Sequence, residues 1–250
     1  MTGDAAILGA GVRYTSLLRF HINVEPGAHL RVADVGTSTG ELETVSFTVR
    51  GSLRLQRVQT VYLYSSVLTV HAGGGAIIED SIIGSAFSPV IVSDGTIILA
   101  RTTLDILHTE ALANGGAFYW GATASHGAPF ESAEASYCTG VAPTSVGYNR
   151  TNLLDCALTS PTDSDDFTIG EFENANNDFD FVPENYSPLV DAIPLGVLGC
   201  SADAVDVYGN PRGVDGNGDG ILGCDIGAVE RQPDLARVSP GSDRRSSPAG

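Results

Sequence analysis

Two stretches of this chain, Ala76-Ile-Ile-Glu-Asp-Ser-Ile-Ile83 and Thr96-Ile-Ile-Leu-Ala-Arg-Thr-Thr103, carry the pattern that decides the fold. The two stretches align without a gap when Thr96 is set beside Ala76, an offset of 20 residues. A third run, Leu53-Arg-Leu-Gln-Arg-Val58, precedes the first stretch by a similar number of residues. A short β-rich run that returns at a fixed spacing is typical of a β-solenoid, in which each coil stacks on its neighbour and buries a shared column. The sequence therefore predicts coils of about 20 residues each.

The turn residues between these runs fit the corners of such coils. Ala72-Gly-Gly-Gly-Ala76 and Asp94-Gly95 supply residues that tolerate positive φ or bond their own backbone. The chain has 30 Gly and 12 Pro, and its 13 basic residues include no Lys. This composition favours many short strands over helices. A β-sandwich with irregular hairpins is the alternative that the pattern leaves open.

The charge of the chain argues against a nucleic-acid partner. The formal net charge is −17, so the field of the protein repels phosphate groups. The acid is concentrated between Arg150 and Arg212, where no basic residue occurs. Such a stretch is typical of a solvated surface, and divalent-cation binding by some of its carboxylates is the alternative.

No apolar run in the sequence reaches the length of a membrane span. The segment 1–20 contains Asp4, Arg13 and Arg19 and does not form a cleavable apolar region. If the protein is exported, we therefore expect its export signal upstream of Met1. The expected organisation is β-helix coils over 1–150, an acidic loop region over 151–187, a Cys/Asp/Gly C-terminal cap over 188–230 and a disordered tail over 231–250.

Four cysteines, Cys138, Cys156, Cys200 and Cys224, allow three disulfide pairings. Their spacing does not fit a structural zinc site, because no Cys-x-x-Cys pair occurs. We favour the local pairing, Cys138 with Cys156 and Cys200 with Cys224, because each bond would close a loop too rich in Gly, Asn and Asp to be fixed by burial. Stable disulfides imply the cell surface or the outside of the cell. Four free thiols in a cytosolic protein are the alternative.

An Asp-Gly loop at 214–225 has the first half of a calcium-binding pattern. Asp215, Asn217 and Asp219 occupy ligand positions one, three and five, a glycine follows at six, and the Ile221 carbonyl falls at seven. Position twelve holds an isoleucine in place of the bidentate acid, and the nearest acid is Asp225. The sequence thus predicts a weak calcium site formed by these five residues. The alternative is an Asp/Asn/Gly turn that needs no ion.

Three motifs near the C-terminus, in order, resemble a known family. They are Asn185-Tyr-Ser-Pro-Leu-Val-Asp-Ala192, Asp206-Val-Tyr-Gly-Asn-Pro-Arg212 and Cys224-Asp-Ile-Gly-Ala-Val-Glu230. The set resembles the C-terminal end of bacterial right-handed parallel β-helix surface proteins of the choice-of-anchor Q type, within the pectin-lyase-like superfamily. The family pattern has Ala-Ile where this chain has Leu189-Val190, and an aromatic residue where it has Val229. The specific match covers roughly residues 145–230.

The resemblance implies an all-β, right-handed parallel β-helix with a disulfide-stapled C-terminal capping module. Within that module we expect Asp206, Arg212, Asp225 and Glu230 to tie the two halves together by ion pairs and backbone bonds. We expect the module to seal the open end of the coil stack, where unpaired strand edges would otherwise be exposed.

Function is less constrained than fold, because β-helices carry lyases and hydrolases as well as plain adhesins. We identify no catalytic residue: the chain has no Lys, and its adjacent pair Asp165 and Asp166 has no feature beyond acidity. We therefore expect an extracellular, monomeric, non-catalytic β-helix for surface display, adhesion or contact with a polysaccharide or cell-surface ligand. A polysaccharide-active enzyme, pectate-lyase-like or hydrolytic, is the alternative.

Overall fold

The computed structural model describes residues 3–8, 21–35, 46–60, 68–85, 91–106, 112–127, 138–152, 156, 158–168, 171–173 and 181–233. These residues form a parallel β-solenoid, which confirms the predicted all-β class. Most of the predicted disordered tail, from residue 234 onward, lies outside the described residues.

The strands, in chain order, are β1 (Asp4–Leu8), β2 (His21–Val24), β3 (His29–Val35), β4 (Ser46–Val49), β5 (Ser52–Thr60), β6 (Leu68–Val70), β7 (Gly75–Glu79), β8 (Ile82–Ser85), β9 (Ile91–Ser93), β10 (Thr96–Ala100), β11 (Thr103–Ile106), β12 (Leu112–Asn114), β13 (Ala117–Gly121), β14 (Ala124–Gly127), β15 (Cys138–Gly140), β16 (Thr144–Gly147), β17 (Arg150–Thr151), β18 (Ile193–Pro194) and β19 (Gly223–Cys224). All but the last two lie in parallel pairs of the solenoid, whereas β18 and β19 pair antiparallel.

The solenoid has three faces, which the chain visits in a fixed order. The first face contains β2, β4, β6, β9, β12 and β15, and the second contains β1, β3, β5, β7, β10, β13 and β16. The third face contains β8, β11, β14 and β17, together with the last two residues of β5. One coil is therefore a strand from each face, as in β6, β7 and β8, and each strand pairs with its counterparts in the neighbouring coils.

The register corrects the predicted spacing by one residue. Ile97 lies beside Ala76, and Ala76 lies beside Leu53. The alignment made from the sequence placed Thr96 beside Ala76 and was wrong, because Thr96 lies beside Gly75. The difference matters because side chains alternate along a strand, so a slip of one residue would turn every inward side chain outward.

The interior of the solenoid consists of apolar side chains stacked from coil to coil. Along the second face, alternate residues point inward and are almost fully buried. They form two ladders, Leu53–Ala76–Ile97–Phe118 and Leu55–Ile78–Leu99–Trp120. Each ladder buries its members against their counterparts above and below, so the core continues along the whole stack.

The corner between the first and second faces requires glycine, because successive coils approach too closely there for a side chain. Gly51, Gly74, Gly95 and Gly116 occupy equivalent corner positions in successive coils. A Cβ added at Gly95 would lie 2.4 Å from the carbonyl oxygen of Gly74 and 2.7 Å from Cγ1 of Val70. We refer to these four residues as the glycine corner.

The corner between the second and third faces is made differently. Asp34, Arg57, Asp80 and Arg101 occupy it in successive coils, each in the left-handed region with φ between 49° and 58°. This conformation costs roughly 1 kcal/mol or more for a residue with a side chain. The charges alternate along the corner, and each Arg binds the Asp of the preceding coil through two guanidinium nitrogens. We call these four residues the charged corner.

The stapled C-terminal module lies along the side of the coil stack, so the predicted position over its open end is wrong. Ile82, Thr103 and Ala124 point outward from the third face, yet they are buried because the module covers them. The backbone amides of Gly227 and Ala228 donate to the Ala122 carbonyl and to the Thr103 hydroxyl. The stack continues beyond β17 with the acidic region, where Ser164 forms a parallel bridge with Arg150.

Gly95→Ala is expected to destabilise the protein by about 2 kcal/mol, since the added methyl has no space in the glycine corner. Gly75→Ala is the matched control, because a Cβ there meets nothing closer than the Thr96 carbonyl oxygen at 3.8 Å. Urea unfolding followed by circular dichroism measures both free energies. Equal stability of the two variants would contradict the close approach at this corner.

Candidate functional site

The outer side of the second face carries a row of exposed side chains in register. We call Arg31, Arg54, Ile77, Ile98 and Tyr119 the outer row; each lies beside the next in neighbouring coils. Ile77, Ile98 and Tyr119 are 38%, 37% and 40% exposed. A continuous exposed apolar strip is more informative than scattered exposed side chains, because it is typical of a binding surface.

The basic end of the outer row is held in place by bonds between coils. Arg31 donates from Nη2 to Oε1 of Gln56 over 2.8 Å, and Arg54 donates from Nε to Oε1 of Glu79 over 2.8 Å. The row thus combines flat aliphatic and aromatic surface with guanidinium donors. Such a surface can pack on the apolar side of a sugar ring while the donors bind hydroxyl or carboxylate oxygens.

The sequence did not reveal the outer row. Ile77 and Ile98 stand in apolar runs, Ala76–Ile78 and Ile97–Leu99, where their exposure has no signal of its own. Only the register shows that they point outward and coincide with Arg54 and Tyr119. An alignment that set Ile97 beside Ala76 would have been the signal that predicts it.

Two carboxylates at the end of β7, the strand that contributes Ile77 to the outer row, are held in ion pairs. Glu79 binds Arg54 and lies 3.8 Å from a guanidinium nitrogen of Arg101. Asp80 receives two hydrogen bonds from Arg101, of 2.7 and 2.9 Å. Both carboxylates therefore connect neighbouring coils.

The predicted charge network within the C-terminal module is confirmed. Arg212 is fully buried and lies with Nη1 3.3 Å from Oε2 of Glu230. The same carboxylate oxygen accepts from the Asp225 amide over 2.9 Å, and the Glu230 amide donates to Oδ2 of Asp206 over 3.1 Å. Arg212 also reaches out of the module, since its Nε lies 3.3 Å from Oδ1 of Asp80 in the charged corner.

Burial shifts the acid–base equilibria of this network. Loss of hydration raises the pKa of Asp225 and of Glu230 well above the usual carboxyl range. For Glu230, the neighbouring carboxylate of Asp225 raises the pKa further. Arg212 acts in the opposite direction on both groups but is the smaller influence.

The Asp-Gly loop folds as a series of turns closed by its own side chains. Asp215 accepts hydrogen bonds from the amides of Gly218, Asp219 and Gly220. Asn217 accepts from the Asp219 amide, and Asp219 accepts from the Ile221 amide. Asp215, Asn217, Asp219 and Ile221 therefore lie together in one loop.

Asp225, the fifth predicted ligand, is turned away from this loop. It is fully buried and accepts from the amides of Asp191 and Arg231. Asp191 is the acid that contacts the loop, because its carboxylate accepts hydrogen bonds from the amides of Gly216 and Asn217. Sequence reasoning missed Asp191, although it stands in the Pro-Leu-Val-Asp motif. Within the described ranges, no group of three or more His, Cys, Asp or Glu side chains is arranged to hold a metal.

Both predicted disulfides are present. Cys138 is bonded to Cys156, which packs into the interior of the solenoid. Cys200 is bonded to Cys224. Both lie in a hydrophobic cluster, separate from the interior of the solenoid, that joins the module to Ile82 and Ala124 of the third face. The local pairing is therefore confirmed, and none of the four cysteines is free.

Two carboxylates of the acidic region are structural. Glu171 is buried and binds Arg150 through both oxygens, at 2.9 and 3.2 Å. Asp163 accepts from the Ser145 hydroxyl and the Asn149 amide of the last coil. The interpretation of the whole stretch as solvated surface is therefore too simple, since these side chains attach it to the solenoid.

Comparisons of the chain with protein-family models, curated proteins and solved structures gave no match. The assignment to a parallel β-helix therefore depends on the architecture itself. The described part of the chain contains no helix with the length and hydrophobicity of a membrane span.

Arg212→Ala is expected to lower the free energy of unfolding by about 3 kcal/mol, because it removes the cation beside the buried Glu230 carboxylate and one of the two guanidinium groups beside Asp80. Arg54→Ala is the control, since that side chain is half exposed and its ion pair contributes little. Differential scanning calorimetry compares the two. If the Arg212→Ala and Arg54→Ala proteins had the same melting temperature, the structural role of the network would be refuted.

Proposed function

We propose that this protein is an extracellular, non-catalytic β-helix that binds polysaccharide or a cell-surface glycan along the outer row. The outer row is the observation that carries the proposal. It offers aliphatic, aromatic and guanidinium groups at the regular spacing of stacked strands, about 4.8 Å. A ligand built from repeated units can contact several coils at once, so that weak contacts add together.

Two further observations support the extracellular location. Both disulfides close loops, and such bonds persist in oxidising compartments. The C-terminal motifs resemble those of the choice-of-anchor Q surface proteins, which favours display at a bacterial surface. We propose that the protein acts there as a monomer, with the module as a permanent part of its structure.

A polysaccharide-active enzyme of the pectate-lyase-like or hydrolytic type is the competing function. It requires carboxylates free to bind an ion or move a proton, and Glu79 and Asp80 are both engaged with Arg. Incubation with acidic polysaccharides in the presence of calcium separates the two functions. Binding without unsaturated or shortened products supports the proposal, and product release would replace it with the enzyme.

Tyr119→Ala is expected to weaken binding to an immobilised glycan about fivefold, because one stacked aromatic contact contributes on the order of 1 kcal/mol. Tyr186→Ala is the matched control, since this tyrosine is 78% exposed and lies just before the module, outside the strands that form the outer row. Glycan arrays identify the ligand, and titration calorimetry gives both affinities. Equal affinities for the two variants would exclude the outer row as the binding surface.

The proposal includes calcium in the Asp-Gly loop, held by Asp215, Asn217, Asp219 and the Ile221 carbonyl. The donor set supports it, because these are the hard oxygen ligands that calcium takes. Asp225 is buried elsewhere and would not contribute. The ligands are few and exposed, so we place the affinity in the millimolar range of extracellular modules.

Calcium at 10 mM is then expected to stabilise the protein by about 1.4 kcal/mol, the value for a dissociation constant of about 1 mM. Thermal melts with calcium, with magnesium and with chelator measure this effect. Asp219→Asn should abolish the calcium response, and Asp203→Asn, an exposed acid of the same module, should retain it. A melting temperature that is the same with calcium and with chelator would leave the loop as a turn without an ion.

A further inference from the structure

The contact between module and solenoid contains a cluster of buried charges that the proposed function does not use. Asp80 and Arg101 belong to the charged corner of the solenoid, and Arg212, Asp225 and Glu230 belong to the module. We call these five residues the corner cluster. Asp80, Arg212, Asp225 and Glu230 are each at least 95% buried.

Arg212 is the only cation of the module in this cluster, and two carboxylates share it. Its Nε lies 3.3 Å from Asp80, and its Nη1 lies 3.3 Å from Glu230. Its Nη1 and Nη2 donate to the carbonyl oxygens of Asp225 and Gly227, whereas Nε makes no hydrogen bond with the described residues. Arg101 is occupied by its two bonds to Asp80 and by a bond of 2.7 Å to the Leu198 carbonyl.

The cluster thus holds more acid than base. Asp80, Asp225 and Glu230 share the cluster with two guanidinium groups, and the Asp225 carboxylate accepts from the backbone amides of Asp191 and Arg231. Oε1 of Glu230 is buried and has no hydrogen-bond partner among the described residues. Three buried carboxylates beside two cations favour retention of a proton, because an unpaired buried charge is costly.

The other charged groups around the cluster do not correct the excess. Asp191 and Asp206 are further acids, joined to Asp225 and Glu230 through backbone amides. On the solenoid side, Glu79 lies beside Arg101, and Arg57 faces Asp80 in the charged corner but is paired with Asp34. Arg231 directs its side chain to Glu173 and the Pro183 carbonyl, away from the cluster, and only its amide reaches Asp225.

We propose that the corner cluster is a proton-dependent latch, in which a proton held by the Glu230–Asp225 pair keeps the module against the third face. Loss of this proton as the pH rises leaves an additional buried negative charge near Asp80. The module and the solenoid then repel each other at the charged corner. The contacts beside it, from Gly227 to Ala122 and from Ala228 to Thr103, open more often.

The direction of the effect follows from linkage. The pKa values of Asp225 and Glu230 are raised in the folded protein, so the folded state holds protons that the unfolded state releases. Their contribution to stability is complete below the usual carboxyl range. It is lost as the pH rises through the raised folded values. Local opening of the module should therefore increase between pH 6 and pH 9.

Hydrogen–deuterium exchange of the intact protein tests the latch. Protection factors, corrected for the intrinsic pH dependence of exchange, are measured for 225–230 and for the core strands β7 and β10. We expect protection of 225–230 to fall about tenfold from pH 6 to pH 9, which corresponds to about one pKa unit of linkage. Protection of β7 and β10 should stay constant.

Two variants distinguish the latch from a general loss of protein stability at alkaline pH. Glu230→Gln and Asp225→Asn each replace an acid with an amide of similar shape, and at least one should remove the fall in protection. Asp203→Asn, an exposed acid of the module, should retain it. The proposal is overturned if the wild-type protection of 225–230 does not fall, if β7 and β10 fall equally, or if the fall persists in both variants.

Discussion

The left-handed backbone conformation at the charged corner is the constraint on which the rest of the structure depends. Each coil must turn there from the second face to the third, and a residue with a side chain makes that turn at a cost of roughly 1 kcal/mol or more. Because the coils are in register, the side chains stack as Asp34, Arg57, Asp80 and Arg101 and offset the cost with paired hydrogen bonds. The same stack presents Asp80 to Arg212 and so determines where the module docks.

The repeating fold could be predicted from the sequence because stacked apolar columns leave a periodic trace. The period itself could not be fixed, because Ala76–Ile78 and Ile97–Leu99 are apolar at consecutive positions and align equally well in two registers that differ by one residue. Glycine does not decide between them, because Gly73-Gly74-Gly75 and Gly115-Gly116 offer a glycine at the corner in either register. The charged corner does, since the observed register is the one that stacks Arg101 beside Asp80. Pairing of charges between coils is invisible in a hydrophobic pattern.

The module was predictable in its internal bonds and not in its position. Asp206, Arg212 and Glu230 are charges in a compact, disulfide-closed segment, so their mutual pairing follows from the need to satisfy buried charge. Nothing in the sequence indicated that the segment lies along the third face, because its contact with Thr103 spans 125 residues of chain. The outer row was missed for a related reason: it exists only once the register brings Ile77, Ile98 and Tyr119 together.

The glycine corner also makes the coil the natural unit of change in chain length. Addition or removal of a whole coil preserves the glycine corner and the register of every inward ladder, and addition or removal of two coils also preserves the alternation of Asp and Arg at the charged corner. Insertion of one residue within a strand would instead move a side chain into the space that glycine keeps open. Added coils on the N-terminal side would lengthen the outer row while Asp80 and Arg101 still held the module. The length of the solenoid can therefore change by whole coils at its N-terminal end while the sequence of the C-terminal module stays the same.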